Sequence, residues 1–236
     1  MKKIERRAFL CKLLALLLSA GLLVFVVRWC VSGGRWAAAS FNRHLYNSAG
    51  QLASGSVLDR DGDVLSWAEN GERKCYDGET VRKATLHTVG DLQGSVATGV
   101  LRTYADALTG YSLLNGAYGA EQGRALSLTI DAYYNYVAYQ ALNGRKGAVA
   151  VYNYQTGQIL CMVSSPDFDP ADPPTITDGD SRYDGVYMNR VLSSTFTPGS
   201  VFKVVTTAAA IEQLPDAIVE ANGTEGVDAV SGATVT

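Results

Sequence analysis

Residues 194–203 read Ser-Thr-Phe-Thr-Pro-Gly-Ser-Val-Phe-Lys, STFTPGSVFK, and the run VVTTAAAI follows them to Ile211. Pro198 and Gly199 end a loop, and Val201 to Ile211 then reads as a helix that is small or apolar on almost every face. Eleven residues are too few to cross a bilayer, so this helix is expected to lie buried inside a protein domain. Lys203 is anomalous there, because a lysine among apolar side chains loses hydration, which favours its neutral, proton-accepting form. Ser200 stands three residues earlier on the same face, at the helix N-terminus, where the dipole and unpaired N–H groups favour negative charge on an oxygen. The two supply a nucleophile and a base one turn apart. The competing reading is a serine that caps the helix and a lysine that reaches water, and S-x-x-K by itself does not exclude it.

Upstream the pattern is mixed. GAVAVYNYQTGQILCMVS, 147–164, reads as two strands about Gln155-Thr156-Gly157, and SPDFDPADPP, 165–174, as a proline-punctuated loop. LSLTID, 126–131, gives a short strand that ends on Asp131, the N-cap of a helix to about Leu142 that stops near Gly144. Tyr133, Tyr134, Tyr136 and Tyr139 on that helix read as a packing surface. SGSVLDRDGDVLSWAENG, 54–71, reads as strand, Asp-Gly turn, strand. Asp59, Asp61 and Asp63 invite a calcium reading, but Gly62 is too early for an EF-hand loop and no glutamate closes one, so no metal site is assigned. His44 and His87, the only histidines, have no metal-ligand spacing around them and read as solvated or packed. Residues 102–119 have too many glycines and too little periodicity to assign.

The chain of 236 residues is 47% hydrophobic and 18% charged, the make-up of folded protein. From Ala8 to Val27 only Lys12 and Ser19 interrupt an apolar run of the length a bilayer-spanning helix needs. Lys2, Lys3, Arg6 and Arg7 precede it, a positive flank expected to stay in the cytoplasm with everything after Arg28 exported. A leader cleaved at Ala37-Ala38-Ala39 is the alternative; the long apolar core, and Arg28 and Trp29 before the alanines, favour an uncleaved single-pass anchor. Six basic residues and one acid up to Arg28 leave −8 for the rest of a chain whose net charge is −3, which argues against nucleic acid as a partner. Cys11 and Cys30 lie in or beside the span, and Cys75 and Cys161 are too few for a disulfide framework.

Taken in order, the anchor, GSVLDRDGDVLS (55–66), LSLTID (126–131), GAVAVYNYQTGQILCMVSSPDFDP (147–170), Asn189-Arg190 and TPGSVFK (197–203) resemble class B penicillin-binding proteins. The resemblance runs loosely to residue 124 and closely from 125 to 213. It implies an α+β fold with one N-terminal transmembrane helix, a β-rich pedestal and the start of a transpeptidase domain of the serine β-lactamase kind. It also implies a D,D-transpeptidase that cross-links peptidoglycan in cell division or cell shape. Ser200 would attack the D-Ala-D-Ala carbonyl of a stem peptide, and β-lactams would acylate the same serine. Lys203 would take the serine proton, a role disputed among related enzymes. No cofactor is implied for this reaction, and divisome or elongasome proteins are implied as partners of the pedestal.

The organisation expected is a cytoplasmic tail at 1–7, anchor at 8–29, pedestal at 30–124, incomplete transpeptidase domain at 125–213 and a separate tail at 214–236. Ser54 stands where the family usually has arginine, and no S-x-N or K-T-G element follows Ser200. The expectation is therefore a truncated domain, poorly active as written, from a recombined or frameshifted reading frame. The last residues resemble the flavinylation segment of FMN-binding domains: Asp228, Ser231, Gly232, Ala233 and Thr234 fit Asp-x-x-Ser/Thr-Gly-Ala-Thr. That implies FMN held on Thr234 through a phosphoester, the alternative being a disordered terminus. A third reading is a non-catalytic, membrane-anchored scaffold.

Overall fold

The computed structural model describes residues 2–117, 123–177 and 179–213. The chain clusters into two compact units, 1–194 and 195–236. Thr234 and the rest of 214–236 lie outside the described residues.

The first unit begins with helix α1, Lys2–Ala37, of which Ile4–Ala37 is long and apolar enough to cross a membrane, with a mean hydropathy of 2.6 over its best window. It outruns the anchor expected at 8–29 because no proline breaks it. Even Gly33 and Gly34 continue the helix, and they serve a close approach: a Cβ on Gly33 would lie 2.6 Å from the Tyr111 hydroxyl.

Strands β1 (Ser56–Leu58), β2 (Val64–Glu69) and β3 (Glu72–Cys75) form an antiparallel meander, and β6 (Ala125–Ser127) lies parallel to β1, giving the order β3-β2-β1-β6. The Asp-Gly turn is built by Asp59, whose Oδ1 accepts the N–H groups of Asp61 and Asp63, each at 2.9 Å. Its Oδ2 accepts the Ala132 N–H at 3.0 Å, so one buried carboxylate ties the hairpin to the next helix. Arg73 of β3 is also buried and donates to the carbonyls of Leu52, Ser54 and Gly55. Burial lowers its pKa to about 10. Ser54 thus offers its carbonyl to the guanidinium of a β3 residue.

Helix α2 (Glu79–Val89), absent from the sequence reading, packs against α5 (Ala132–Leu142) and β8 (Ile159–Ser165). Between them come α3 (Val100–Thr103), α4 (Ala105–Thr109) and a small hairpin of β4 (Tyr111–Ser112) and β5 (Gly116–Ala117), which give form to the stretch the sequence left unassigned. β7 (Gly147–Tyr152) pairs antiparallel with β8, as the two runs about Gln155-Thr156-Gly157 predict. Asp131 caps α5 by accepting from the N–H groups of Tyr133 and Tyr134, and Asn143 and Gly144 end it at positive φ. On α5 it is Ala132, Asn135 and Ala138 that are buried; Tyr133, Tyr134 and Tyr136 are exposed, and only Tyr139 packs, so the tyrosine packing surface is corrected to one residue. Their spacing follows the helix face that α2 and β8 do not cover.

The largest core joins Leu45, Leu52, Val57, Leu65 and Leu108 to Ile130 and Ala132, and therefore runs across residue 124. A second gathers Leu86, Val96, Phe168 and Val186, a third Ala138, Cys161 and Val163. Arg82 of α2 grips Asp169 of the loop after β8 with both arms, Nε–Oδ1 at 2.7 Å and Nη2–Oδ2 at 2.6 Å. All four cysteines are unbridged.

The second unit, as far as it is described, is a tight 3-10 turn at Gly199–Phe202 followed without a break by helix α7, Lys203–Gln213.

Candidate active site

Pro198 and Gly199 shape the turn that carries Ser200. Pro198 is fixed at φ −68°, and Gly199 takes φ +55°, a left-handed conformation that L side chains rarely adopt. The Val201 N–H closes back on the Pro198 carbonyl at 3.3 Å, and the Lys203 N–H donates to the carbonyls of Ser200 and Val201. Residues three apart eclipse one another in a 3-10 turn, so Ser200 and Lys203 leave the backbone on the same side. The sequence reading placed Ser200 at the start of an α-helix; the tighter turn comes first and the α-helix starts at Lys203.

A second correction concerns burial. No residue of the 3-10 turn or of α7 is buried, Lys203 is exposed, and Val201 and Val204 are 76% and 72% exposed. An apolar composition calls for a cover but does not itself supply one, and the shielding expected for Lys203 depends on that cover.

The residues leading up to this unit are tightly held within the first. Asn189 caps α6 (Arg190–Ser193) by accepting the Val191 N–H at 3.1 Å and donates to the His87 carbonyl at 3.3 Å. The Arg190 guanidinium donates to the carbonyls of Gly185 and Asp184, and the Arg190 backbone N–H donates to Ser164 Oγ at 3.1 Å. Ser164 Oγ in turn donates to the Met188 carbonyl. Asn189-Arg190 is therefore a clamp on β8 and α2; an asparagine just before a short apolar run was the N-cap signal available in the sequence.

His87 is buried in the same region, with Nε2 2.7 Å from the Val186 carbonyl and Nδ1 without a partner among the described residues. Burial pushes its pKa down, helped by Arg190 and opposed by the bond to Val186. His44 is exposed. Oxygens of Asp59, Asp61 and Asp131 approach within 4.8 Å of one another, but Asp59 and Asp131 are already engaged by backbone N–H groups.

Residues 147–215 match the penicillin binding protein transpeptidase domain, a range that includes Ser200 and Lys203. Over 102 residues, 39% of this chain, the sequence is 36% identical to Stage V sporulation protein D of Bacillus subtilis, and the match spans 15% of that protein. Over 76 residues, 28% of this chain, it is 42% identical to the peptidoglycan D,D-transpeptidase PbpA of Mycobacterium tuberculosis, again 15% of that protein. Among solved structures, the D,D-transpeptidase domain of a peptidoglycan glycosyltransferase from Eggerthella lenta aligns at a TM-score of 0.52 and 30% identity, over 67% of this chain and 37% of that one. Pseudomonas aeruginosa PBP2 shares the fold at a TM-score of 0.51 and 23% identity, over 68% and 39%. The chain thus matches well under half the length of these relatives. It resembles their N-terminal part, with the transpeptidase domain beginning in the residues matched.

Proposed function

We propose, with the likeness to penicillin-binding transpeptidases as premise, that this chain carries the nucleophile segment of a peptidoglycan D,D-transpeptidase. The observation that supports this is that Ser200 and Lys203 stand three residues apart across a 3-10 turn, within the matched residues. The Ser200 hydroxyl attacks the carbonyl of the penultimate D-Ala of a stem peptide, and Lys203 accepts the hydroxyl proton. Lys203 passes that proton to the departing nitrogen, so the terminal D-Ala leaves as an amine and an acyl-serine remains; an amine of a neighbouring strand then takes the acyl group, and the proton it loses returns through Lys203 to free the serine. A β-lactam carbonyl enters the same first step, and its ring opens in place of departure. Residues 30–124 act as a pedestal, contacted by division or elongation proteins. The basic residues in the first turns of α1, ahead of its apolar run, favour an N-terminus in the cytoplasm and the rest of the chain outside the cell membrane.

A fluorescent penicillin applied to membranes that hold the inserted chain tests this. Labelling that disappears in Ser200→Ala supports the acyl-serine role. A folded, inserted chain that takes no label refutes it for this chain and leaves the anchored scaffold.

A further inference from the structure

The hairpin β4–β5 lies against α1, as α4 does. Ala38, one residue past α1, is in the large buried cluster with Ala105 and Leu108 of α4. Three residues after Leu108 the chain reaches Tyr111, whose ring packs on Gly33 and Gly34, four to five helix positions back toward the apolar span. Both strands of the hairpin pack on α1. The chain has therefore turned from the core toward the membrane by about 6–7.5 Å at 1.5 Å per helical residue. Gly33 stands six residues past Val27, roughly 9 Å beyond the end of the apolar run, and the headgroup layer on each side of the hydrocarbon is about 5–7 Å deep. Two or three more residues of extended chain cover about 7–10 Å, which brings the tip to the level of that layer.

The tip is Leu113-Leu114-Asn115, with Leu114 93% and Leu113 49% exposed. No charged residue occurs between Tyr111 and Ala117. Single exposed leucines are ordinary, but two adjacent at the tip of an uncharged hairpin beside a membrane helix have a natural apolar neighbour in the bilayer. Trp29, exposed on α1 two residues past Val27, stands at the depth of the same layer, as interfacial tryptophans do.

We propose that the β4–β5 hairpin is a membrane foot whose tip, Leu113 and Leu114, inserts into the outer headgroup layer of the bilayer that α1 spans. The foot and the helix give the first unit two attachments to the membrane, which fixes its tilt as well as its distance. This rests on the reading of α1 as a transmembrane anchor.

The test uses the whole chain, with its four cysteines replaced by serine, reconstituted in phosphatidylcholine vesicles. Leu114→Cys and, separately, Leu18→Cys carry an environment-sensitive fluorophore, with quenchers placed in water or on the lipid headgroups and chains. Leu18 reports the span and Leu114 the foot; Leu114 is at the surface, so its replacement leaves the cores intact, and Leu113→Cys repeats the measurement from the neighbouring position. The proposal expects the probe at 114 to emit to the blue of a probe at exposed Thr156→Cys and to be quenched from the lipid several-fold more strongly. A probe at 114 quenched from water while 18 is quenched from lipid overturns the foot alone. A probe at 18 quenched from water overturns the anchor, and the foot with it. Blue emission at 114 without lipid quenching means burial against protein, which also overturns the proposal.

Discussion

His87 shows how one buried side chain links pH to the segment ahead of Ser200. Its Nε2 sits on the Val186 carbonyl, its own carbonyl accepts from Asn189, and its Nδ1 has no partner among the described residues. Burial holds its pKa below the ordinary 6.5. As pH falls through 6.5 the unfolded chain takes up the proton first, so this contribution to stability is complete above 6.5 and declines below it. His87→Gln keeps a donor for Val186 and removes the titration, so the fall in Tm between pH 7.5 and 5.5 should be shallower in the variant; parallel profiles would mean that His87 charges freely in the folded state. Gly199 makes a different demand. Its positive φ costs a residue with a Cβ about 1–2 kcal/mol, and about 1.4 kcal/mol is a factor of ten in rate. Gly199→Ala should therefore slow labelling by fluorescent penicillin roughly tenfold, with Gly199→Asn in between because asparagine tolerates the left-handed region, and equal rates in all three would separate the turn from the chemistry. That a glycine was needed here was legible from Pro-Gly-Ser. The partnerless nitrogen of His87 was not, since its neighbours lie about a hundred residues further along the chain.

Among the elements, those written by local rules were the readable ones. The hairpins about Gly62 and Gly157 carry their turn residues in the sequence, and α5 carries Asp131 at one end and Asn143-Gly144 at the other. α2 is not legible in the sequence because it has neither a side-chain cap nor a proline or glycine start signal beyond Gly78, and its buried positions 84–89 are a run with threonines and a histidine instead of a spaced apolar stripe. What holds α2 is tertiary. The Arg82–Asp169 fork joins it to the loop after β8, and both side chains are largely shielded from water. The guanidinium holds the Asp169 carboxyl below its ordinary 3.8. That stabilisation is present above 3.8 and is lost as pH falls further, through the folded-state value. Removing one partner of such a pair leaves the other short of water and of charge, so Arg82→Ala should destabilise the first unit by about 2–4 kcal/mol at pH 7, and Arg82→Lys by less, since lysine cannot reproduce the fork. Chemical denaturation of the solubilised chain at pH 7 and pH 3 measures this. The difference between variant and parent should shrink at the lower pH, and an equal difference at both would assign the loss to packing of the arginine stem.

At the scale of the whole chain, α5 and α7 pose a controlled comparison. Each has eleven residues, and each was expected to be at least partly covered. α5 has α2 and β8 against it and buries Ala132, Asn135 and Ala138, whereas α7 has no buried residue. Apolar sequence at 201–211 announced a need for cover, and ordered motifs announced the family to which such a helix is similar. What lies over a helix, however, is a property of segments distant in sequence, and no pattern inside the helix encodes it. A helix of this length without tertiary support is marginal in water, because nucleation costs more than so few hydrogen bonds return. Backbone amides of α7 should therefore exchange with deuterium at least about a hundredfold faster than those of α5 and β8, which open only with the packed unit. Hydrogen exchange on the full chain in nanodiscs, read by mass spectrometry, measures both helices in one sample. Protection of α7 equal to that of α5 would show that something covers its valines in solution, and Val204→Gln with Ile211→Gln would then lower that protection. If α7 is as open as its exposure implies, the same pair of substitutions leaves its exchange unchanged, and the reactivity of Ser200 is set by the 3-10 turn and not by a dry pocket around Lys203.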